Sequence, residues 1–227
     1  MRRPVIAIVS VLLAVMAFAQ APQQHRQDVG GHAGVTLSKI NFNPTVPQSM
    51  ETGMTAGVVL RYIAEKNFGL VAELNVAQRG WKESFEQSDY SYNRRFTYLE
   101  LPIMTHIYFG GQRVKGFFNL GPELNVMLAE GTSSNFDYHA AGDLEYFNNG
   151  ARHLEQMTLE VNNKLDYGIS VGAGMELSLN ARQSLLLEGR FYYGLTDVFP
   201  NHKTDVFSGS SSMTVAVTLG YLFNLTR

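Results

Sequence analysis

The chain has 227 residues, with 18 basic and 20 acidic side chains, a size suited to one domain with a sizeable core. A formal net charge of −2 builds no field of one sign and argues against nucleic acid as a partner. Cysteine is absent, which removes disulfides, thiolate metal sites and cysteine nucleophiles, while 21 glycines, 14 phenylalanines and 11 tyrosines suit many-stranded β structure.

Residues 1–19 read as a signal peptide. Arg2 and Arg3 form a positive start, Val5 to Phe18 an apolar run broken by Ser10, and Ala17-Phe18-Ala19 a small-x-small cleavage pattern before Gln20. The apolar run is short for a spanning helix, which needs about 20 residues. Residues 20–31 are expected to be a disordered lead-in, and 32–227 a single barrel domain.

The period of the mature chain is two. Two weaker strands are expected at 33–40 and 52–64, with Arg61 on the polar side. Phe68, Leu70, Ala72, Leu74 and Val76 then oppose Glu73, Asn75 and Arg79. Leu99, Leu101, Ile103, Ile107 and Phe109 oppose Glu100, Pro102 and His106, and Phe118, Leu120, Leu124, Val126 and Leu128 oppose Asn119, Gly121, Glu123 and Asn125. From Leu165 to Leu179 the alternation is unbroken, with Glu176 on the polar strip. Leu185, Leu187, Phe191, Tyr193 and Leu195 oppose Glu188 and Arg190. The last segment, Met213 to Leu225, alternates with Leu222 as its one exception. A helix would mix the two sets around its circumference, whereas a strand separates them.

Eight such segments predict an all-β fold, an eight-stranded antiparallel up-and-down transmembrane barrel. Many reach the roughly 9 to 11 residues that a tilted strand needs to cross a bilayer. Short links at 65–67, 110–115 and 180–183 alternate with longer ones at about 41–51, 81–95, 130–163 and 198–210. Short periplasmic turns against long outer loops is the outer-membrane rhythm, and it places both termini in the periplasm. Aromatic girdles are expected at Tyr62, Phe68, Phe109, Phe118, Tyr221 and Phe223 on the periplasmic rim and at Trp81, Phe96, Phe191 and Tyr193 on the outer one.

The polar face carries Arg61, Glu73, Arg79, Glu100, His106, Glu123, Glu176, Glu188 and Arg190. An eight-stranded lumen is just wide enough to be filled by side chains, so these groups are expected to pair as a structural network; a narrow channel is the alternative. Trp81, Phe85, Tyr90, Tyr92, Arg94 and Arg95 form a candidate interaction loop, since Tyr among small polar residues makes an adaptable surface. No nucleophile elbow, paired-histidine zinc motif or calcium-loop spacing occurs, so neither catalysis, a metal nor a cofactor is expected.

The runs YLELPIMTHIYF (98–109), FFNLGPELNVML (117–128), LDYGISVGAGMEL (165–177), LLLEGRFYYGLTDV (185–198) and VTLGYLFNL (217–225), with GLVAELNVAQRGW (69–81), resemble the PorT-like outer-membrane β-barrel family of Bacteroidetes. The resemblance spans about 32–225. It implies an eight-stranded barrel in the outer membrane of a Gram-negative cell, and its name-giving member is tied to protein secretion across that membrane. It transfers no catalytic residue. The expected protein is thus a non-enzymatic outer-membrane barrel in contact with lipid, acting through its outer loops, with envelope or secretion proteins as its partners. A soluble lipocalin-like barrel with an apolar ligand inside would need the opposite facing.

Overall fold

The computed structural model describes residues 26–85, 88–147, 153–161, 164–199 and 207–226. The expected signal peptide, residues 1–19, lies outside them. Eight long strands run in chain order: β1 (Arg26–Asn43), β2 (Glu51–Glu65), β3 (Phe68–Glu83), β4 (Tyr92–Gly110), β5 (Val114–Ser134), β6 (Leu165–Ser178), β7 (Gln183–Asp197) and β8 (Gly209–Asn224). Each pairs antiparallel with the next, and β1 pairs with β8 to close the ring. A two-residue strand, Gln48–Ser49, lies against the outer end of β3. Closure leaves no free edge, so every strand can satisfy its backbone on both sides within lipid.

Where the ring closes, the chains approach closely. A Cβ on Gly30 or Gly34 of β1 would lie 1.9 or 2.0 Å from the carbonyl oxygens of Tyr221 or Val217 on β8. Only glycine fits there, which explains small residues in a segment that otherwise carries little alternation.

The facing is that of a membrane barrel. Val58, Leu74, Leu120, Val171, Leu187 and Leu219 point outward and are 46–62% exposed, while Arg61, Glu73, Glu123 and Glu176 point inward and are buried. An apolar belt running round the whole barrel far exceeds the few hundred Å² that soluble monomers leave open. A lipocalin-like interior requires the reverse arrangement and does not match this one.

Two expectations are corrected. The lead-in expected over 20–31 is strand from Arg26 onward, and residues 20–25 lie outside the described residues. Two glycines and a polar outward residue hid this strand, yet Asp28 is in phase with the inward Thr36 and Ser38, all at most 1% exposed. The loop expected over 81–95 is shorter, because β3 runs to Glu83 and β4 begins at Tyr92.

The reason is a change of phase along the wall. In the lower part of the barrel the apolar side chains face out. Near the outer end they face in: Ile40 and Phe42 of β1, Trp81 of β3, and Tyr92, Phe96 and Tyr98 of β4 are at most 3% exposed. Lys39, Lys82, Asn93 and Arg95 take the outward positions between them. Above the bilayer the wall meets water, so the lumen becomes the dry side. Trp81 and Phe96 therefore leave the expected outer girdle, while Phe191 and Tyr193 remain outward at 39% and 37% exposure.

Candidate functional site

All nine sequence-predicted polar residues point into the lumen, where they form three tiers of ion pairs stacked along the barrel axis. At the periplasmic end, Arg61 on β2 donates to Asp28 of β1 at 2.8 Å and to Glu176 of β6 at 2.6 Å. Arg26 donates to the same Asp28 at 2.8 Å. One guanidinium thereby ties three strands together.

In the middle tier, Arg190 on β7 meets Glu73 of β3 through bonds of 2.6 and 2.7 Å and its neighbour Glu188 at 3.0 Å. Asn119 donates to Glu188 at 3.2 Å, and its amide oxygen lies 2.7 Å from Nδ1 of His106. Asn75 donates to Glu73 at 2.9 Å. His106 is thus held as a hydrogen-bonded lumen residue, beside Met104 and the small apolar layer of Val59, Val71 and Leu222. Leu222, the exception in the alternation of the last strand, belongs to that layer.

In the upper tier, Arg79 on β3 bridges Glu100 of β4 and Glu123 of β5, and Ser170 donates its hydroxyl to Glu123. The Arg79 guanidinium lies 4.0 Å from the centre of the Tyr192 ring. Tyr192 in turn donates to Asp166 at 2.8 Å. Asp28, Asp166, Asn75, Asn119 and Tyr192 complete the network, and the sequence reading had not assigned them to it. Their common signal was phase: each occupies the inward position of its strand.

What space remains between the tiers is small. Two cavities of about 20 Å³ each lie inside, one between Arg79, Glu100, Glu123 and Tyr192, the other between Arg61, Glu73, His106 and Glu188. Each is the size of a site for a water molecule or two, not a pore. Every buried guanidinium is paired, the arrangement that makes its burial tolerable, while acidic groups are in excess. Asp28, Glu73, Glu100, Glu123, Glu176 and Glu188 share the guanidinium groups of Arg26, Arg61, Arg79 and Arg190, and Asp166 is held by the hydroxyls of Tyr192 and Thr196.

Above the upper tier the lumen turns aromatic. Trp81, fully buried, has the rings of Phe42, Phe96 and Phe199 at centroid distances of 5.4, 5.8 and 6.0 Å. Phe207 packs on Phe42 at 5.1 Å. The segment between β5 and β6 folds over this plug in short 3-10 turns at Tyr138–Asp143, Glu145–Phe147 and Glu155–Met157. It is pinned from below: Tyr92 donates its hydroxyl to the Met157 carbonyl at 2.9 Å, and Arg94 donates to the carbonyls of Leu159 and Gln156 at 2.7 and 3.2 Å. Gln156 donates to Glu83 at 2.8 Å.

The six residues expected in one interaction loop are therefore divided. Trp81 and Tyr92 are fully buried, and Arg94 is 4% exposed. Phe85 and Tyr90 pack with Phe136, Tyr146 and Phe147 in the cap, on the same apolar cluster as Trp81, with Tyr90 and Phe136 at 5.0 Å. Only Arg95 faces outward, where it pairs with Glu51. The exposed surface of the cap instead carries Asp137, His139, Asp143, Glu145, Glu155 and Glu160. Among the described residues no group of three metal-ligating side chains comes together.

The fold is matched by solved structures. OprG of Pseudomonas aeruginosa is 10% identical, with a TM-score of 0.53 over 90% of this chain and 97% of that one. Neisserial surface protein A is 11% identical, with a TM-score of 0.44 over 86% and 95%. The outer membrane enzyme PagL is 14% identical, with a TM-score of 0.37 over 85% and 97%. No curated protein matches the chain in sequence. A family model, the outer membrane protein beta-barrel domain, matches residues 18–200. With most of its length covered by that model and its strands closed into the corresponding ring, the chain belongs to the outer membrane protein beta-barrel domain family and is a protein of the outer membrane.

Proposed function

We propose that this chain is a non-enzymatic outer-membrane barrel that works by surface contact and passes nothing through its lumen. The observation that carries this reading is the plug. Trp81, Phe42, Phe96 and Phe199 fill the outer lumen above three tiers in which guanidinium groups engage Glu73, Glu100, Glu123, Glu176 and Glu188. A carboxylate committed to a buried guanidinium is poorly placed to act as an acid, base or nucleophile. The nine polar lumen residues then serve as packing, joining non-adjacent strands.

Contact with other molecules falls to the outer cap, whose exposed side chains include five carboxylates: Asp137, Asp143, Glu145, Glu155 and Glu160. A partner meeting this face would present positive charge. The link to protein secretion rests on the strand texts that resemble the PorT-like family, and the cap would be the contact face in such an assembly.

Planar-bilayer recording on the refolded full chain tests the sealed lumen. The expected result is a membrane without unit current steps across the physiological voltage range. Stable open steps in the wild type, altered by Arg190→Ala or Glu123→Ala, would replace this reading with a channel. Deleting the gene and comparing the proteins released to the medium tests the secretion role; an unchanged set of released proteins would remove it.

A further inference from the structure

The two ends of the barrel carry opposite charge. Each short turn at the periplasmic end holds one basic residue, Lys66 in 66–67, Arg113 in 111–113 and Arg182 in 179–182, and the one acidic residue flanking them is the exposed Glu65 beside Lys66. The four connections at the outer end together hold eight acidic residues and three basic ones. Lys66, Arg113 and Arg182 are exposed and, among the described residues, none of them has an ion pair.

The turns that present these side chains are firmly held. Asn67, at a φ of 73°, donates its side-chain amide to the Tyr108 carbonyl at 2.7 Å and accepts from the Tyr108 N–H at 3.1 Å. The Arg113 carbonyl accepts from Ser178 at 2.9 Å, and the Arg182 carbonyl from Asn224 at 2.7 Å. Each turn is therefore bonded to a neighbouring strand or hairpin, so the three side chains leave the rim from well-held backbone positions.

Just above them on the lipid side stand Phe68, Phe109, Phe118 and Tyr221, 41–52% exposed, with Phe109 and Phe118 stacked at 5.9 Å. Aromatic side chains in such a belt sit at headgroup level. Lys66 precedes Phe68 by two residues, in the tight turn that joins the paired Glu65 and Phe68. A long basic side chain leaving a turn at that depth reaches the phosphate plane of the leaflet.

We propose that Lys66, Arg113 and Arg182 form a three-point site for anionic phospholipid headgroups in the periplasmic leaflet. An excess of positive charge, its level just below the aromatic belt and its spread around the rim fit a ring of lipid phosphates. The site gives the barrel a preference for anionic lipid on that side, independent of whatever contacts the outer cap makes.

The test uses the full chain refolded into nanodiscs of phosphatidylcholine containing a minor fraction of phosphatidylglycerol. Lipid retained on mild detergent release is counted by native mass spectrometry. The wild type should retain phosphatidylglycerol above its share of the membrane, and retention should weaken by about fivefold for each of the three residues changed to Gln. The charge-conserving set Lys66→Arg, Arg113→Lys and Arg182→Lys should keep the enrichment, as should Lys39→Gln/Lys82→Gln at the opposite end. Heat-modifiable gel mobility shows that each variant has folded. Absence of enrichment in the wild type overturns the proposal, as does enrichment that survives the Gln set or is lost equally in the Lys39/Lys82 variant.

Discussion

Arg190 on β7 and Glu73 on β3 face each other across the lumen, joined by two parallel bonds of 2.6 and 2.7 Å. The two strands are not neighbours in the ring, so this pair crosses the barrel rather than its wall. A fork-to-carboxylate pair of this geometry is the form in which buried charge is best compensated.

Breaking the Arg190–Glu73 pair on one side should be costly. Arg190→Met leaves two carboxylates buried without their shared cation, and a loss of about 3–5 kcal/mol is expected. The double variant Arg190→Met/Glu73→Leu should recover part of that loss, because the uncompensated charge goes with its partner. Urea unfolding from liposomes, read as a double-mutant cycle, checks both statements. Equal stability of Arg190→Met and the wild type would contradict the pairing.

Trp81 is the chain's single tryptophan and is fully buried. Its fluorescence should be blue-shifted in the folded barrel and resist quenching by acrylamide. Trp81→Ala should cost about 3–5 kcal/mol by opening a cavity among Phe42, Phe96 and Phe199. A quenchable, red-shifted emission in the folded protein would show instead that this side chain meets water.

The lipid face should resist charge according to depth. Leu120→Arg or Val171→Arg, both outward on strands within the apolar belt, should destabilise the barrel by about 2–4 kcal/mol. Thr97→Arg, an outward position nearer the outer end, should cost about 1 kcal/mol or less. Refolding yield and denaturation in lipid separate the two positions, and equal cost at both would place the bilayer elsewhere on the wall.

Tyr92 and Arg94 hold the cap down through the Met157, Gln156 and Leu159 carbonyls. Tyr92→Phe together with Arg94→Ala should leave the heat-modifiable barrel intact while exposing residues 135–164 to added protease. Cleavage there at the wild-type rate would mean that the cap is secured by other contacts.

The lumen network was legible in the sequence because the strand period is two. Each of Arg61, Glu73, Arg79, Glu100, His106, Glu123, Glu176, Glu188 and Arg190 could be assigned to the inner side from its neighbours alone. Which residue each would meet was not legible. Arg61 and Glu176 are 115 residues apart in the chain, and only ring closure with a definite strand stagger brings them to 2.6 Å.

Trp81, Tyr92 and Arg94 of the expected interaction loop are buried for a physical reason. A rule that sends apolar residues outward holds only where the outside is lipid. Past the outer interface the solvent changes to water, so Trp81, Tyr92 and Phe96 turn inward and Asn93, Arg95 and Thr97 face out. Alternation in the sequence marks two faces but carries no label for the medium outside.

The sequence by itself determined that this chain makes eight alternating strands joined by short and long links, because side-chain alternation and turn length are local properties. The tertiary structure alone decided which charges pair across the lumen, where the facing inverts and how the aromatic plug closes the mouth. Those outcomes depend on strand stagger and on the depth of each residue in the bilayer, and both are fixed only when β1 meets β8.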